Sequence, residues 1–254
     1  MTKNLVLFTK PSLIYRLVDV FRQCGIAQNL DSIVLSDHEF EIAGLRSTSN
    51  SVENLGIKIL SHSDFKKICH ELKEIYLCGI SFMYSEKFDN QDLQFFSKGI
   101  INFHPSLLPI NKGSDTVSWA ILNGTKHGVT AHLVNTKIDD GPIILQKEIE
   151  YNFEHTAEKL YQQTISELLN LLSESIQKWI DNKLKPYAQE GPGNFHNKNE
   201  ITKIKEVSID DFSNARILLD FLRAASFSPS DGLRLKLDGK FYNLYLKIEE
   251  LNEH

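Results

Sequence analysis

The first hundred residues alternate short apolar runs with longer amphipathic stretches. Residues 5–8 are continuously apolar and stop at Thr9-Lys10-Pro11, and residues 12–24 then carry apolar positions at helical spacing. Residues 31–35 and 56–60 predict two further strands, with a helix over 64–72. The run IYLCGISF predicts a buried strand over 74–82, and residues 99–103 predict another, which delivers His104 and Pro105 at its carboxyl end. Short apolar runs of this kind suit strands covered on both faces. Their alternation with helices predicts an α/β fold, a Rossmann-like, mostly parallel sheet flanked by helices. No GxGxxG set follows the first strand, so dinucleotide binding has no local support.

Beyond residue 128 the pattern changes. Residues 128–135 alternate apolar and polar, residues 142–149 form a second strand-like run, and the polar KIDDGP turn joins them. Thr156 is placed to cap a long helix, in which Leu160, Leu168, Leu172 and Ile176 recur on one core-facing side up to Leu184. Pro186 closes it. The Gly- and Asn-rich stretch QEGPGNFHNKNE, residues 189–200, marks the expected boundary between a domain of residues 1–188 and a C-terminal extension of 189–254. That extension predicts a short helix over 211–225 and a hairpin turning at Gly239. It is too short for an independent core and is expected to pack on the main body.

Composition narrows the class. The 254 residues carry a formal net charge of -5, from 28 Lys and Arg against 33 Asp and Glu, which argues against a nucleic acid partner. No apolar stretch is long enough to cross a membrane. The first twenty residues are interrupted by Lys10 and Pro11 and lack a cleavage site of small residues. Cys24, Cys69 and Cys78 are scattered without metal spacing, which points to a reducing compartment and a cytoplasmic location.

Asn102 and His104 stand two apart at a strand end, so their side chains share a face. In parallel sheets the ligand crevice lies at the carboxyl ends of the strands. His104 can hold or move a proton near neutral pH, and the Asn102 amide can donate to an oxygen gaining negative charge. Asp139, in the turn after a later strand, can orient the imidazole and favour its charged form. The same residues also have plain structural readings: Asn102 as a partner for a backbone group, Asp139 and Asp140 as turn residues. His132 is open to either role. His104, His127, His132 and Asp139 lack compact ligand spacing, so no metal is expected. Neither Lys112-Gly113 nor the loop from Gly191 to Gly193 forms a P-loop.

INFHPSLLP at 101–109, WAILNG at 119–124, GVTAHLV at 128–134 and IDDGPIILQ at 138–146, with CGISFMYSEKF at 78–88 upstream, together resemble the folate-dependent formyltransferases. The resemblance covers residues 74–149. It implies Asn102, His104 and Asp139, rather than Asp140, as the catalytic trio. It also implies N10-formyltetrahydrofolate as cosubstrate, held by a loop of Ser81, Phe82, Met83 and Tyr84 and another of Asn135, Thr136, Lys137 and Ile138. The implied reaction is attack of a neutral amine on the formyl carbon through a tetrahedral intermediate. His104 acts in it as base or as oxyanion stabiliser, and no metal is required.

This chain departs from the family pattern in three places. FTKPSL replaces the Gly-rich first loop of the purine enzyme, Lys112-Gly113 replaces an Arg-Gly pair, and the tail is shorter than the barrel of the tRNA enzyme. The tail, with FLRAASFSP at 221–229, looks most like that of the nucleotide-sugar N-formyltransferases. The implied acceptor is a dTDP-linked 3-amino- or 4-amino-dideoxyhexose for bacterial surface polysaccharide such as O-antigen. Glycinamide ribonucleotide and methionyl-tRNA are the alternatives, and a non-catalytic ligand-binding module the remote one. Lys10, Lys112 and Arg223 are candidates for the pyrophosphate, with Arg234 behind them, and Tyr187 and Phe195 for the base, with Tyr242 behind them. A homodimer is common among these relatives.

Overall fold

The computed structural model describes residues 4–44, 51–52, 56–73 and 75–249. In chain order its elements are β1 (Leu5–Thr9), α1 (Ile14–Gln23), β2 (Leu30–Leu35), α2 (Asp37–Ile42), β3 (Ser51–Val52), β4 (Ile57–Ser61) and α3 (His62–Leu72). They continue with β5 (Cys78–Phe82), α4 (Asn90–Gln94), β6 (Ile100–His104), β7 (Lys112–Gly113), α5 (Thr116–Asn123), β8 (His127–Leu133) and β9 (Ile143–Ile149). After α6 (Ala157–Ile180) come β10 (Phe195–His196), α7 (Lys198–Ile204), β11 (Glu206–Ser208), α8 (Ala215–Ala225), β12 (Leu233–Leu237) and β13 (Lys240–Leu244). The chain divides into two compact units that interleave along the sequence.

The first unit comprises Met1–His104, Thr130–Gln146 and Leu168–Gln189. Its sheet has the strand order β3-β4-β2-β1-β5-β6-β8-β9, which β8 and β9 enter through residues 130–133 and 143–146. The pairs β4–β2, β2–β1, β1–β5 and β5–β6 are parallel, while β6–β8 is antiparallel. Central β1 is buried at all five positions, as its unbroken apolar run requires. Each such Leu, Val or Phe contributes about 1.5–3 kcal/mol of hydrophobic stabilisation. Helices start directly at the carboxyl edge. Ser36 accepts from the Glu39 amide at 3.2 Å to cap α2, and Ser61 accepts from Asp64 at 3.1 Å to cap α3.

Three boundaries move. The expected helix over 64–72 begins at His62, because Ser61 is the cap. The long helix ends at Ile180 rather than near 184, because Asn182 turns left-handed (φ 58°) and the Lys98 ammonium donates to the Ile180 carbonyl at 2.8 Å. The strand expected from residue 74 starts at Cys78, and residue 74 itself lies outside the described residues.

The second unit comprises Pro105–Val129, Lys147–Glu167 and Glu190–His254. Here the expected hairpin forms as β12 and β13, with β11 parallel to β12. The tail carries a small apolar cluster and also packs on the rest of this unit, where the Ser118 hydroxyl of α5 donates to the Ala224 carbonyl of α8 at 2.7 Å. Val207, Ala225, Leu233 and Leu235 are buried against Phe212, Leu218, Phe221, Leu222 and Leu244. The stretch expected to mark the boundary is structured: Phe195 and His196 pair with Lys112 and Gly113, and His196 stacks on Trp119 with centroids 3.9 Å apart.

Candidate active site

β6 is the strand that matters. It lies between β5 and β8, with Asn102 aligned with Ser81 on one side and with His132 on the other. Directly opposed residues share a face, so Asn102, His104 and His132 project together. The Ser81 hydroxyl donates to Asn102 Oδ1 at 2.9 Å, which turns the amide nitrogen the other way. That nitrogen donates to Asp139 Oδ1 at 3.2 Å and meets His132 Nε2 at 3.1 Å. His132 Nδ1 faces the Leu133 carbonyl at 2.9 Å, an acceptor only, so the neutral ring carries its proton there and Nε2 accepts from Asn102.

Asp139 completes the cluster. Its Oδ2 lies 3.4 Å from His104 Nδ1 and its Oδ1 3.5 Å from His132 Nε2. His104 and His132 are buried, and the Asp139 side chain is 10% exposed. Asp139 holds the left-handed conformation (φ 50°), uncommon outside glycine and tolerated best by Asp and Asn. Neighbouring Asp140 instead pairs with Lys137 at 3.8 Å.

Sequence reasoning missed the residue that holds this turn. Gln189 Nε2 donates to the carbonyls of Asp139 at 2.8 Å and Gly141 at 2.9 Å. A two-way backbone bridge between Tyr187 and Ile143 brings Gln189 there. Nothing in its sequence neighbourhood marks it, because the contact spans about fifty residues. Gly141 is required for a different reason: a Cβ there would sit 1.7 Å from the Leu133 carbonyl oxygen.

Ser81 and Phe82 are the buried last residues of β5, not loop, and Met83, which opens the loop, is left-handed (φ 53°). In the second loop the Asn135 side chain accepts from the Lys137 amide at 2.9 Å, and Thr136, Lys137 and Ile138 are exposed. Both loops therefore present turned backbone rather than regular structure. Among the described residues no group of three His, Cys, Asp or Glu is arranged to hold a metal ion, and no helix is long and apolar enough to cross a membrane.

The anchors expected for a nucleotide divide between the two units. In the first unit, Lys10 follows β1, and the half-exposed Tyr187 reaches Gln146 through its hydroxyl at 3.4 Å. In the second, Lys112 and the exposed Phe195 belong to the paired strands β7 and β10. Arg223 is corrected to a framework residue. It is 4% exposed and donates to Asp220 at 2.7 Å and to the carbonyls of His155 and Asn152 at 3.2 and 2.8 Å. Three of its five N–H groups are thus committed within the unit. Arg234 lies 3.6 Å from Glu206 and over the Phe241 ring, and Tyr242 is exposed on β13. The second unit also has an open cavity of about 690 Å3, lined by Lys126, Glu148, Phe153, Arg216, Asp220 and Arg223 among others. Within it Lys126 pairs with Glu148, and Arg216 and Arg223 with Asp220; none of the trio lines it.

Residues 83–176 match the family described as formyl transferase. A GDP-perosamine N-formyltransferase of Brucella melitensis is 32% identical over 165 residues, 64% of this chain and 62% of that protein. The chain thus spans less than two thirds of this curated relative. Among solved structures, a 4-N formyltransferase from Francisella tularensis superposes with a TM-score of 0.82 at 21% identity, covering 98% of this chain and 99% of that one. An N-formyltransferase from Helicobacter canadensis, in complex with folinic acid and dTDP-3-aminofucose, superposes with a TM-score of 0.73 at 21% identity over 94% of this chain and 85% of that one. What this chain shares with these solved structures is the fold, a mixed α/β architecture built on a central, mostly parallel sheet.

Proposed function

We propose that this chain transfers a formyl group from N10-formyltetrahydrofolate to the primary amine of a nucleotide-linked amino-dideoxy sugar. The observation that carries the reading is the convergence of Asn102, His104 and Asp139 at the carboxyl end of β6. Acyl transfer to an amine needs a group that accepts the amine proton and a donor for the oxygen that gains charge. His104 meets the first need, with Asp139 fixing its Nδ1 and stabilising the charged ring. Asn102 meets the second. Its two N–H groups rest on Asp139 and His132, and a stronger acceptor at the reacting centre can take one of them over.

The residues present fit a folate. The turned backbone at Met83 and from Asn135 to Ile138 offers donors and acceptors to the edge of a flat, polar heterocycle. When bound, the donor supplies an activated formyl carbon; everything else falls to the side chains above. For the acceptor we favour a dTDP-linked 3-amino- or 4-amino-dideoxyhexose. The dTDP-sugar in the Helicobacter complex supports this, and the GDP-perosamine enzyme keeps a GDP-linked acceptor in view. Lys10, Lys112, Tyr187 and Phe195 stay candidates for nucleotide contacts, each within its own unit.

The test is product formation with dTDP-3-amino-, dTDP-4-amino- and GDP-4-amino-dideoxyhexoses, beside glycinamide ribonucleotide and methionyl-tRNA. Turnover confined to one or more of the sugars is expected. Turnover confined to the last two would reject the sugar assignment.

A further inference from the structure

A buried histidine outside the trio is gripped at both ring nitrogens. His62 opens α3 and is 6% exposed. Its Nδ1 lies 2.6 Å from Glu86 Oε2 and its Nε2 3.1 Å from Asp92 Oδ1. A neutral imidazole has one N–H, so it satisfies one carboxylate and turns a lone pair on the other. Only the imidazolium donates to both.

These two carboxylates belong to the segment that follows β5. Glu86 also accepts from the Asp37 amide at 2.7 Å through its other oxygen. Asp92 is 1% exposed and accepts from the Asp89 amide at 2.8 Å. Lys66, one turn after His62, adds contacts to Asp89 at 2.7 Å and Asp92 at 3.4 Å. The ring of His62 packs edge-on to Phe8, Tyr84 and Phe88. The loop bearing Met83 and Tyr84 is therefore fastened to α3 by two cations on three carboxylates, over an aromatic floor.

The charged surroundings come from every packed element. α3 contributes Lys66 and Asp64, α2 contributes Asp37 and Glu39, the loop contributes Tyr84 and Glu86, α4 contributes Asp92 with its capping residue Asp89, and β1 presents the Phe8 ring. Burial opposes the charge on His62, but the hydrogen bonds and charges of Asp92 and Glu86 outweigh it and raise its pKa. Burial and the surrounding carboxylates push the Tyr84 hydroxyl well above its usual range, so it stays protonated.

We propose that His62, as the imidazolium, is a positioning residue that locks the Met83–Tyr84 loop in the geometry that receives the formyl donor, so that donor affinity falls when the ring loses its proton. This rests on reading that loop as part of the donor site. The sign follows from the raised pKa: the lock is complete below the ordinary histidine value and is lost as pH rises through the folded one.

Folinic acid binding to the full chain, measured calorimetrically from about pH 6 upward until the His62 ring titrates by NMR, tests it. Affinity should fall roughly tenfold across that titration, the loss expected for one charge-assisted bond. Glu86→Gln is the decisive variant. Its amide oxygen can keep the Asp37 contact while its NH2 donates to a neutral ring, so its affinity should stay flat with pH. His62→Asn should bind roughly tenfold more weakly at every pH. Wild-type affinity that stays flat while His62 titrates would overturn the proposal. So would a Glu86→Gln slope like the wild type's, or a ring that titrates at or below about 6.5. If folinic acid binds at no pH while the amides of residues 84–88 shift with His62, the lock stands and the donor assignment falls.

Discussion

Replacing Asp139 by Asn keeps size and removes charge, and the structure says what that does. The carboxylate offers one oxygen to Asn102 and the other to His104. An asparagine has a single acceptor oxygen, so one of those donors must face an NH2 group. The cheapest escape is for His104 to move its proton to Nε2, which leaves the wrong tautomer to accept a proton from the amine. The lost attraction is also large: a charge at 3.4 Å from the imidazolium is worth up to about 5 kcal/mol at an effective dielectric of about 20. Because the Asp139 side chain is 10% exposed, screening reduces this only partly. We therefore expect turnover to fall by about 10²–10³-fold, or roughly 3–4 kcal/mol of transition-state stabilisation. The assay is steady-state kinetics with saturating donor and acceptor, with circular dichroism to verify folding. Asp140→Asn should stay within about threefold, since Asp140 pairs with an exposed lysine. A folded Asp139→Asn enzyme within tenfold of wild type, or a larger loss at Asp140, would refute the reasoning.

Gln189→Ala should lower kcat about tenfold by leaving two carbonyls of the Asp139 turn without a donor, with donor KM changing less; equal changes in both constants would count against it. Gly141→Ala should cost about 3 kcal/mol or more in denaturant unfolding, because its Cβ would meet the Leu133 carbonyl; an unchanged midpoint would contradict the turn geometry. Lys66 and the Asp92 amide hold the Asp89 carboxyl down at about 2, so its contribution to stability is present above the unfolded value and lost as pH falls through the folded one. Lys66→Ala should flatten that acid limb in pH-dependent thermal melts, and an unaltered limb would remove Asp89 from the account.

What the sequence revealed follows from range. The strands were legible because burial on both faces demands continuous apolar runs, as in LVLFT and CGISF. Asn102 and His104 were legible as a pair because strand periodicity puts positions two apart on one face. Their meeting with Asp139 needed the antiparallel return of β8, which the alternation of residues 128–135 suggested but could not place. His132 stayed open for the same reason: its alignment with Asn102 is a register fact. Gln189 and His62 were invisible because each acts on a segment far along the chain. The tail misled through composition. Its Gly- and Asn-rich stretch reads as a boundary, yet Gly113, with φ 88° and the His196 carbonyl where a Cβ would lie, lets β10 dock on β7.

The central claim is that this chain places a formyl group on the amine of a nucleotide-linked sugar by means of its trio. Carbon-labelled formyl donor should be incubated with the acceptor sugars and the product followed by NMR, for wild type and His104→Ala. The account predicts a labelled formamide on the sugar nitrogen with wild type, and formation slowed by about 10²-fold or more with His104→Ala. Donor hydrolysis without a sugar formamide, or a His104→Ala protein that forms it at the wild-type rate, would contradict it.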